Sequence, residues 1–116
     1  MKALDTNVLA RFFVDDPEDE QAAVQRPAAI AALSERCWVS VTVLLELEWV
    51  LRGFYELPQP DVLKVLTALA GIEHVQLEDR DAVLAAIEAA NAGVDFADAL
   101  HLLRSHRAAA FLTFDR

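Results

Sequence analysis

Two aspartates of this chain follow short apolar segments, a position typical of functional groups in sheets covered by helices. Asp5 closes the opening segment Lys2-Ala-Leu-Asp5, and Asp115 follows Ala110-Phe-Leu-Thr-Phe114. If both segments are parallel strands, each aspartate lies just beyond a carboxyl end, where ligand sites of such sheets gather. We therefore expect Asp5 and Asp115 to lie at the same edge of one sheet.

Two further acids stand in apolar helical segments. Glu46 interrupts Val43-Leu-Leu-Glu-Leu47, and an unpaired carboxylate buried there carries a heavy desolvation cost. Asp98 follows Asp95 by three residues, which predicts that the two share one helix face. We expect Glu46 to be compensated by another group. For any one of these acids, the competing interpretation is a helix cap or a surface charge.

Four carboxylates brought together predict either bound protons or bound cations, because like charges at short range repel one another. Oxygen-only ligands favour hard ions, so the expected cofactor is Mg²⁺ or Mn²⁺. A divalent ion held by carboxylates can activate water and stabilise the leaving oxygen of a phosphodiester, which is nuclease chemistry. The acids would then hold the metal and need not attack the substrate themselves.

The composition limits which classes of protein are possible. The chain has 116 residues, 55% of them hydrophobic, and we expect one domain spanning residues 1–116. A net charge of −9 argues against a broad basic surface for nucleic acid, so any such contact must be local. No apolar run approaches the roughly 20 residues of a membrane span, and no signal peptide is evident. With a single cysteine, the chain is expected in the cytosol, with no membrane partner.

Hydrophobic spacing predicts strands that alternate with helices. Expected strands end just before Asp5, at Ser40, at Leu77 and at Phe114, and Thr6 or Asn7 is expected to cap the first helix. Further helices are expected over 21–36 with a break at Pro27, over 42–55, 62–70 and 95–107, and from a cap at Asp79 or Asp81 to about Asn91. Gly71 and Gly93 are expected to end helices. The predicted fold class is α/β, with a mainly parallel sheet of about four strands flanked by helices.

Four motifs in this order resemble a PIN-domain ribonuclease, and most closely a VapC-type toxin of a toxin-antitoxin pair. They are Leu4-Asp-Thr-Asn-Val8, Thr42-Val-Leu-Leu-Glu-Leu47, Asp95-Phe-Ala-Asp-Ala-Leu100 and Leu112-Thr-Phe-Asp-Arg116. Each motif alone is weak, but their order and spacing are specific, and they span nearly the whole chain. The resemblance implies a PIN-like three-layer domain. Similar toxins continue beyond the last acid, whereas this chain stops at Arg116. We therefore expect Asp115 to be less firmly held and metal affinity to be the property that is reduced most.

The resemblance also implies roles for individual residues. The metal-binding, catalytic acids would be Asp5, Glu46, Asp98 and Asp115. Asp95 would be a nearby helper or a helix cap, while Asn7 and Thr113 would hydrogen-bond the acids or their waters, although capping or turn formation explains these two equally well.

The activity implied by the resemblance is cleavage of RNA, often a transfer or messenger RNA, by water-driven hydrolysis. The usual partner is a small antitoxin, and a homodimer or a toxin-antitoxin hetero-oligomer is expected. Trp49, Phe54 and Tyr55 are candidates for such contacts, with core packing as the alternative.

Two other functions remain open at this point. A phospho-accepting receiver-like module shares a small α/β sheet with an acidic pocket, but only Lys2 and Lys64 are available as its lysine. A catalytically silent PIN-like module could hold metal for structure alone. Four isolated basic residues either line an RNA path or are solvated: Arg11, Arg52, Arg104 and Arg107. The three histidines, His74, His101 and His106, are expected to have surface or structural roles.

Overall fold

The structure is a computed structural model that describes residues 1–105. Three strands are described, β1 (Lys2–Ala3), β2 (Cys37–Val39) and β3 (Val75–Leu77). The described helices are α1 (Thr6–Phe13), α2 (Glu20–Leu33), α3 (Val41–Gly53), α4 (Gln59–Ala70), α5 (Arg80–Asn91) and α6 (Phe96–Leu103). The predicted α/β class is confirmed.

The described strands form one parallel sheet in the order β1-β2-β3. Trp38 of β2 is the central pairing position, opposite Ala3 on one side and Gln76 on the other. Because the strands are parallel, the residues after β1, β2 and β3 meet at one edge, which holds Asp5. The predicted fourth strand, over 110–114, lies outside the described residues, as do Thr113 and Asp115.

The core is built from apolar faces of helices packed on this short sheet. In α3, Leu44, Leu47 and Leu51 are fully buried and recur at three- and four-residue spacing, so they form one stripe. The hydrophobic spacing of the sequence alone places Val43, Leu47, Val50, Leu51 and Phe54 on or near one face. Leu47 and Leu51 of that face are buried, whereas Val43 and Val50 are half-buried. Phe54 follows the last helical residue and is 69% exposed. Within residues 1–105, no helix is long and apolar enough to cross a membrane.

Pro27 does not break the second helix, so that prediction was wrong. Helix α2 runs from Glu20 to Leu33 with Pro27 inside it. Proline removes one helical hydrogen bond, whose acceptor would be the carbonyl of Ala23. Both Ala23 and Pro27 are exposed, so water can reach this carbonyl and the helix continues.

Short polar residues and glycines set the helix ends. Asp5, and not Thr6 or Asn7, caps α1, because its Oδ1 accepts a hydrogen bond from the Val8 amide at 3.0 Å. Gly71 is the C-cap of α4, as predicted. Gly93 follows the end of α5 with a φ of 104°, a backbone conformation that favours glycine and explains why α5 stops there.

Candidate functional site

The first turn of α1 is joined to the middle of α3 by a side-chain hydrogen bond. β1 ends at Ala3, and the chain then turns into α1 with Asp5 as the cap and Thr6 as the first helical residue. The buried Thr6 hydroxyl donates to Oε1 of Glu46. Two of the predicted metal acids, Asp5 and Glu46, are thereby attached to the same contact between α1 and α3.

Glu46 itself is exposed, which corrects the expectation of an embedded carboxylate. The buried acid of α3 is Glu48, which is 5% exposed and was not singled out from the sequence. Arg52, one turn later, donates from Nε to Glu48 Oε2 at 2.9 Å and compensates this charge. A carboxylate followed four residues later by arginine was the available signal for this pair.

Asp95 and Asp98 occupy different positions at the start of α6. Asp95 precedes the helix and caps it, because its Oδ2 accepts from the Asp98 backbone amide at 3.0 Å. Its cap role is therefore observed, and the bond holds the Asp95 side chain against the backbone of Asp98, three residues later. Asp98 lies in the first turn, with an exposed side chain. The pKa of Arg52 is raised chiefly by its hydrogen bond to Glu48 and by the charge of Glu48, with a smaller contribution from Asp95.

A second link joins α6 to α3 through the residue that follows β3. Glu78 Oε1 accepts a hydrogen bond from the Val41 amide, the first of α3, at 2.8 Å. Its other oxygen lies 3.7 Å from Nη2 of Arg104, which also donates from Nε to Asp79 at 3.1 Å. Helices α3 and α6, which carry Glu46 and Asp98, are thus tied to the same edge of the sheet.

The type of donor in the candidate site suits a hard divalent cation, because Asp5, Glu46 and Asp98 offer only carboxylate oxygens. Among residues 1–105, however, no three acidic, histidine or cysteine side chains form a group that could hold a metal ion. The assignment of Asp5, Glu46, Asp98 and Asp115 as ligands therefore stays a prediction, and Asp115 lies outside the described residues.

A groove lies between α1 and α2 and opens beside Asp5. Its volume is about 460 Å³, within the usual range of ligand pockets. Asn7, one of the predicted supporting residues, lines it together with Arg11. On α2 its lining residues are Gln21, Gln25, Ala28, Ala29 and Ala32.

The other candidates are mostly at the surface. His74 and His101 are exposed, while His106 and Arg107 lie outside the described residues. Trp49 and Phe54 are 61% and 69% exposed, so core packing is excluded for both. Tyr55 is half-buried, and its hydroxyl accepts a hydrogen bond from Arg11.

Comparison with known proteins gives one family. The model of the PIN domain matches residues 2–116, nearly the whole chain. Neither the curated proteins nor the solved structures gave a significant match.

Proposed function

Because the chain belongs to the PIN-domain family, we propose that it is a metal-dependent endoribonuclease toxin that hydrolyses RNA phosphodiester bonds in the cytoplasm. PIN domains are typically metal-dependent nucleases, and this family membership supports the reaction class. The structural observation that carries the proposal is the hydrogen bond from Thr6 to Glu46. It attaches an acid beyond the first strand and an acid of α3 to one contact, as a shared site requires.

The proposed ligands of Mg²⁺ or Mn²⁺ are Asp5, Glu46, Asp98 and Asp115. When bound, such an ion supplies charge neutralisation and an activated water for phosphodiester hydrolysis. The chain's own groups orient the ligands. The Val8 amide holds one oxygen of Asp5, and the Thr6 hydroxyl holds one oxygen of Glu46.

Three residues have supporting roles in the proposal. Asp95 fixes the start of α6 by accepting the Asp98 amide, and so positions the residue that carries the third acid. Asn7 lies in the first turn of α1, beside Asp5. Asn7 and Thr113 would hydrogen-bond the acids or their waters.

The proposal includes a cognate antitoxin as inhibitor. Support comes from Trp49 and Phe54, two large apolar side chains that are mostly exposed on and just after α3. Aromatic residues are enriched in protein interfaces, and burying them removes apolar surface from water. A homodimer would bury the same residues. Size-exclusion chromatography distinguishes the two cases: a purified chain that elutes as a dimer, and as a monomer in Trp49→Ala, uses these residues for self-association and not for a second protein.

The decisive experiment measures RNA cleavage by the purified chain. Mixed cellular RNA is incubated with the protein, EDTA is added, and Mn²⁺ is then restored in excess. We expect cleavage to stop with EDTA and to resume with Mn²⁺. Glu46→Gln should abolish cleavage, whereas the matched control Glu88→Gln, an exposed glutamate of α5, should retain it.

Two outcomes would contradict the proposed metal-dependent nuclease function. Cleavage that ignores EDTA would exclude the metal-dependent mechanism. A chain that binds Mn²⁺ and a protein partner but cuts no RNA would instead be a catalytically silent PIN-like module.

A further inference from the structure

The groove between α1 and α2 presents two facing rows of polar side chains. Asn7 and Arg11 are separated by one turn of α1, and Gln21 and Gln25 by one turn of α2, so each pair lies on one helix face. Small alanines of α2 complete the wall and leave the space between the helices open. Because Asp5 lines the same groove, whatever binds there lies next to a proposed metal ligand.

Among residues 1–105, Arg11 differs from the other arginines whose side chains bond to a side chain. Arg26, Arg52 and Arg104 each pair with a carboxylate, at 3.1, 2.9 and 3.1 Å respectively. Arg11 instead donates to two neutral groups, Gln25 Oε1 and the Tyr55 hydroxyl, both at 3.0 Å.

These two contacts fix the orientation of the Arg11 guanidinium without neutralising it. Only two of its five N–H donors are used in them. In a chain of net charge −9, this leaves an oriented cation in the groove that is not paired with a carboxylate of the described residues.

The amides of the groove suit a nucleobase. Each primary amide offers donors and an acceptor, and single-stranded RNA is recognised by hydrogen bonds to the exposed edges of its bases. A helix of a partner protein would instead require an apolar groove. The lining of this groove is mixed, since Val8 and three alanines lie beside the polar side chains. What favours a nucleotide over such a helix is the oriented Arg11 cation together with the amides of Asn7 and Gln21.

We propose that this groove binds one nucleotide of single-stranded RNA adjacent to the bond that is cut, with Arg11 contacting its phosphate and the amides contacting its base. The inference rests on the proposed nuclease function, because it takes Asp5 as the end of the groove nearest the reaction. It adds a substrate subsite and a residue for it, which the metal site does not provide. The cationic contact is local, as the acidic chain requires.

The test measures RNA binding separately from cleavage. In the Glu46→Gln chain, binding of a fluorescein-labelled, mixed-sequence oligoribonucleotide is followed by anisotropy over a series of NaCl concentrations. Arg11→Gln should weaken binding roughly tenfold, the loss of one charge-assisted hydrogen bond. It should also lower the magnitude of the slope of log K against log[NaCl] by about 0.7, the value for one phosphate contact with a single strand.

Three matched variants separate a phosphate contact from a folding effect. Arg11→Lys should keep the wild-type salt slope, and so should Arg36→Gln, which removes an exposed charge outside the groove. Ala28→Trp fills the groove without removing a hydrogen-bonding side chain, and it should weaken RNA binding while the chain stays folded. Circular dichroism on each variant monitors folding.

A second measurement uses the cleaving chain and tests the base contact. Gln21→Leu should change the nucleotide preferred at one position flanking the cut, as read by sequencing the 5′ ends of the products. The readout is the share of cuts at each flanking nucleotide, which does not depend on the total rate of cleavage.

The outcomes distinguish the groove from the nuclease. The groove assignment would be overturned, and the nuclease function left intact, if Arg11→Gln and Ala28→Trp left RNA binding and its salt slope unchanged. The same holds if Gln21→Leu left the preferred nucleotide unchanged. RNA binding that depends on Arg11, in a chain that cuts no RNA with Mn²⁺, would contradict the nuclease and support the groove. Groove variants that keep RNA binding but lose a protein partner would assign the groove to that partner and overturn the inference.

Discussion

The Thr6 hydroxyl donates a hydrogen bond to Glu46 across 40 positions of sequence. Thr6 is buried, whereas Glu46 is exposed, so the bond joins the protected side of α1 to the surface of α3. One residue earlier, Asp5 caps α1 with its own carboxylate. The contact therefore fixes the relative position of the two helices that carry the first two proposed metal ligands.

Replacing Thr6 tests whether this contact orients Glu46. Thr6→Val keeps the shape but removes the donor, and we expect metal affinity to fall about 10- to 100-fold, as is typical when a partner of a metal ligand is lost. The measurement is the Mn²⁺ concentration required for half-maximal RNA cleavage. Thr6→Ser, which keeps the hydroxyl, should remain near wild type, and an equal loss in both variants would argue against orientation by this bond.

Glu46 and Glu48 should respond differently to the same substitution. Glu46→Gln should abolish cleavage but change the free energy of unfolding by less than about 0.5 kcal/mol, because the side chain is exposed. Glu48→Gln weakens a charge-assisted bond to the half-exposed Arg52, and should cost about 1 kcal/mol while preserving activity per folded molecule. Urea unfolding and RNA cleavage of both variants check this. Reversed roles for the two residues would contradict the site assignment.

Glu78 should contribute more to stability than its partner Arg104. Glu78→Ala leaves the Val41 amide without its acceptor, and since Val41 is buried the loss should be about 1–3 kcal/mol. Arg104→Met should cost less than about 1 kcal/mol, because the arginine and both of its carboxylate partners are more than a third exposed, so solvent screens the pairs. Urea unfolding gives both values. Glu78→Gln keeps an acceptor and serves as the control.

Pro27 should limit the stability of α2. Pro27→Ala restores an amide that can bond to the Ala23 carbonyl, and we expect a gain of about 2 kcal/mol in the free energy of unfolding. Helix propensity favours alanine by about 3 kcal/mol, and the greater freedom of the unfolded chain offsets about 1 kcal/mol of that. The control Pro17→Ala, outside the helices, should lower stability slightly. Urea unfolding measures the free energy of unfolding of both variants. A change of the same sign in the two would refute the prediction.

Cys37 should make stability fall in alkaline solution. Burial raises the pKa of this thiol above its ordinary 9.0. Above pH 9.0 the unfolded chain releases the thiol proton while the native chain keeps it, so the free energy of unfolding falls as pH rises. This contribution is fully present below that pH and is lost as the pH rises through the pKa of the native thiol. Cys37→Ala should remove this component, as measured by urea unfolding at several pH values, whereas Val39→Ala in the same strand should retain it.

The class of fold and several boundaries could be predicted because they depend on local signals. The alternation of Glu73-His-Val-Gln-Leu77 predicts a half-exposed strand. The structure confirms it over Val75–Leu77, and Glu73 and His74 precede the strand. Gly71 and Gly93 predicted the ends of α4 and α5. At Gly93 the reason is the positive φ of 104°, which glycine tolerates, whereas Gly71 has an ordinary helical φ of −87°.

The burial of charges in α3 could not be predicted from spacing. The helix is apolar on most of its surface, so the periodicity does not determine which stripe faces the core. Glu46 and Glu48 are only two positions apart, but they lie on opposite sides of the helix. Their placement depends on contacts with Thr6 and Arg52, and the contact with Thr6 comes from a distant part of the chain.

The cap of α1 was assigned to the wrong residue for a related reason. Asp5, Thr6 and Asn7 all have short polar side chains that can cap a helix. The sequence alone does not show at which residue β1 ends and α1 begins. Because α1 begins at Thr6, the residue in the cap position is Asp5. Similarly, Pro27 was expected to break α2, because local preference does not show that the carbonyl left without a partner is exposed to water.

The central pairing position of the sheet is occupied by a fluorophore. Trp38 lies between Ala3 and Gln76 and is partly shielded, whereas Trp49 is 61% exposed on α3. Trp49→Phe would leave Trp38 as the single indole, whose emission then reports when the three strands assemble. Combined with far-ultraviolet circular dichroism, stopped-flow refolding of that variant would time the sheet against the helices around it.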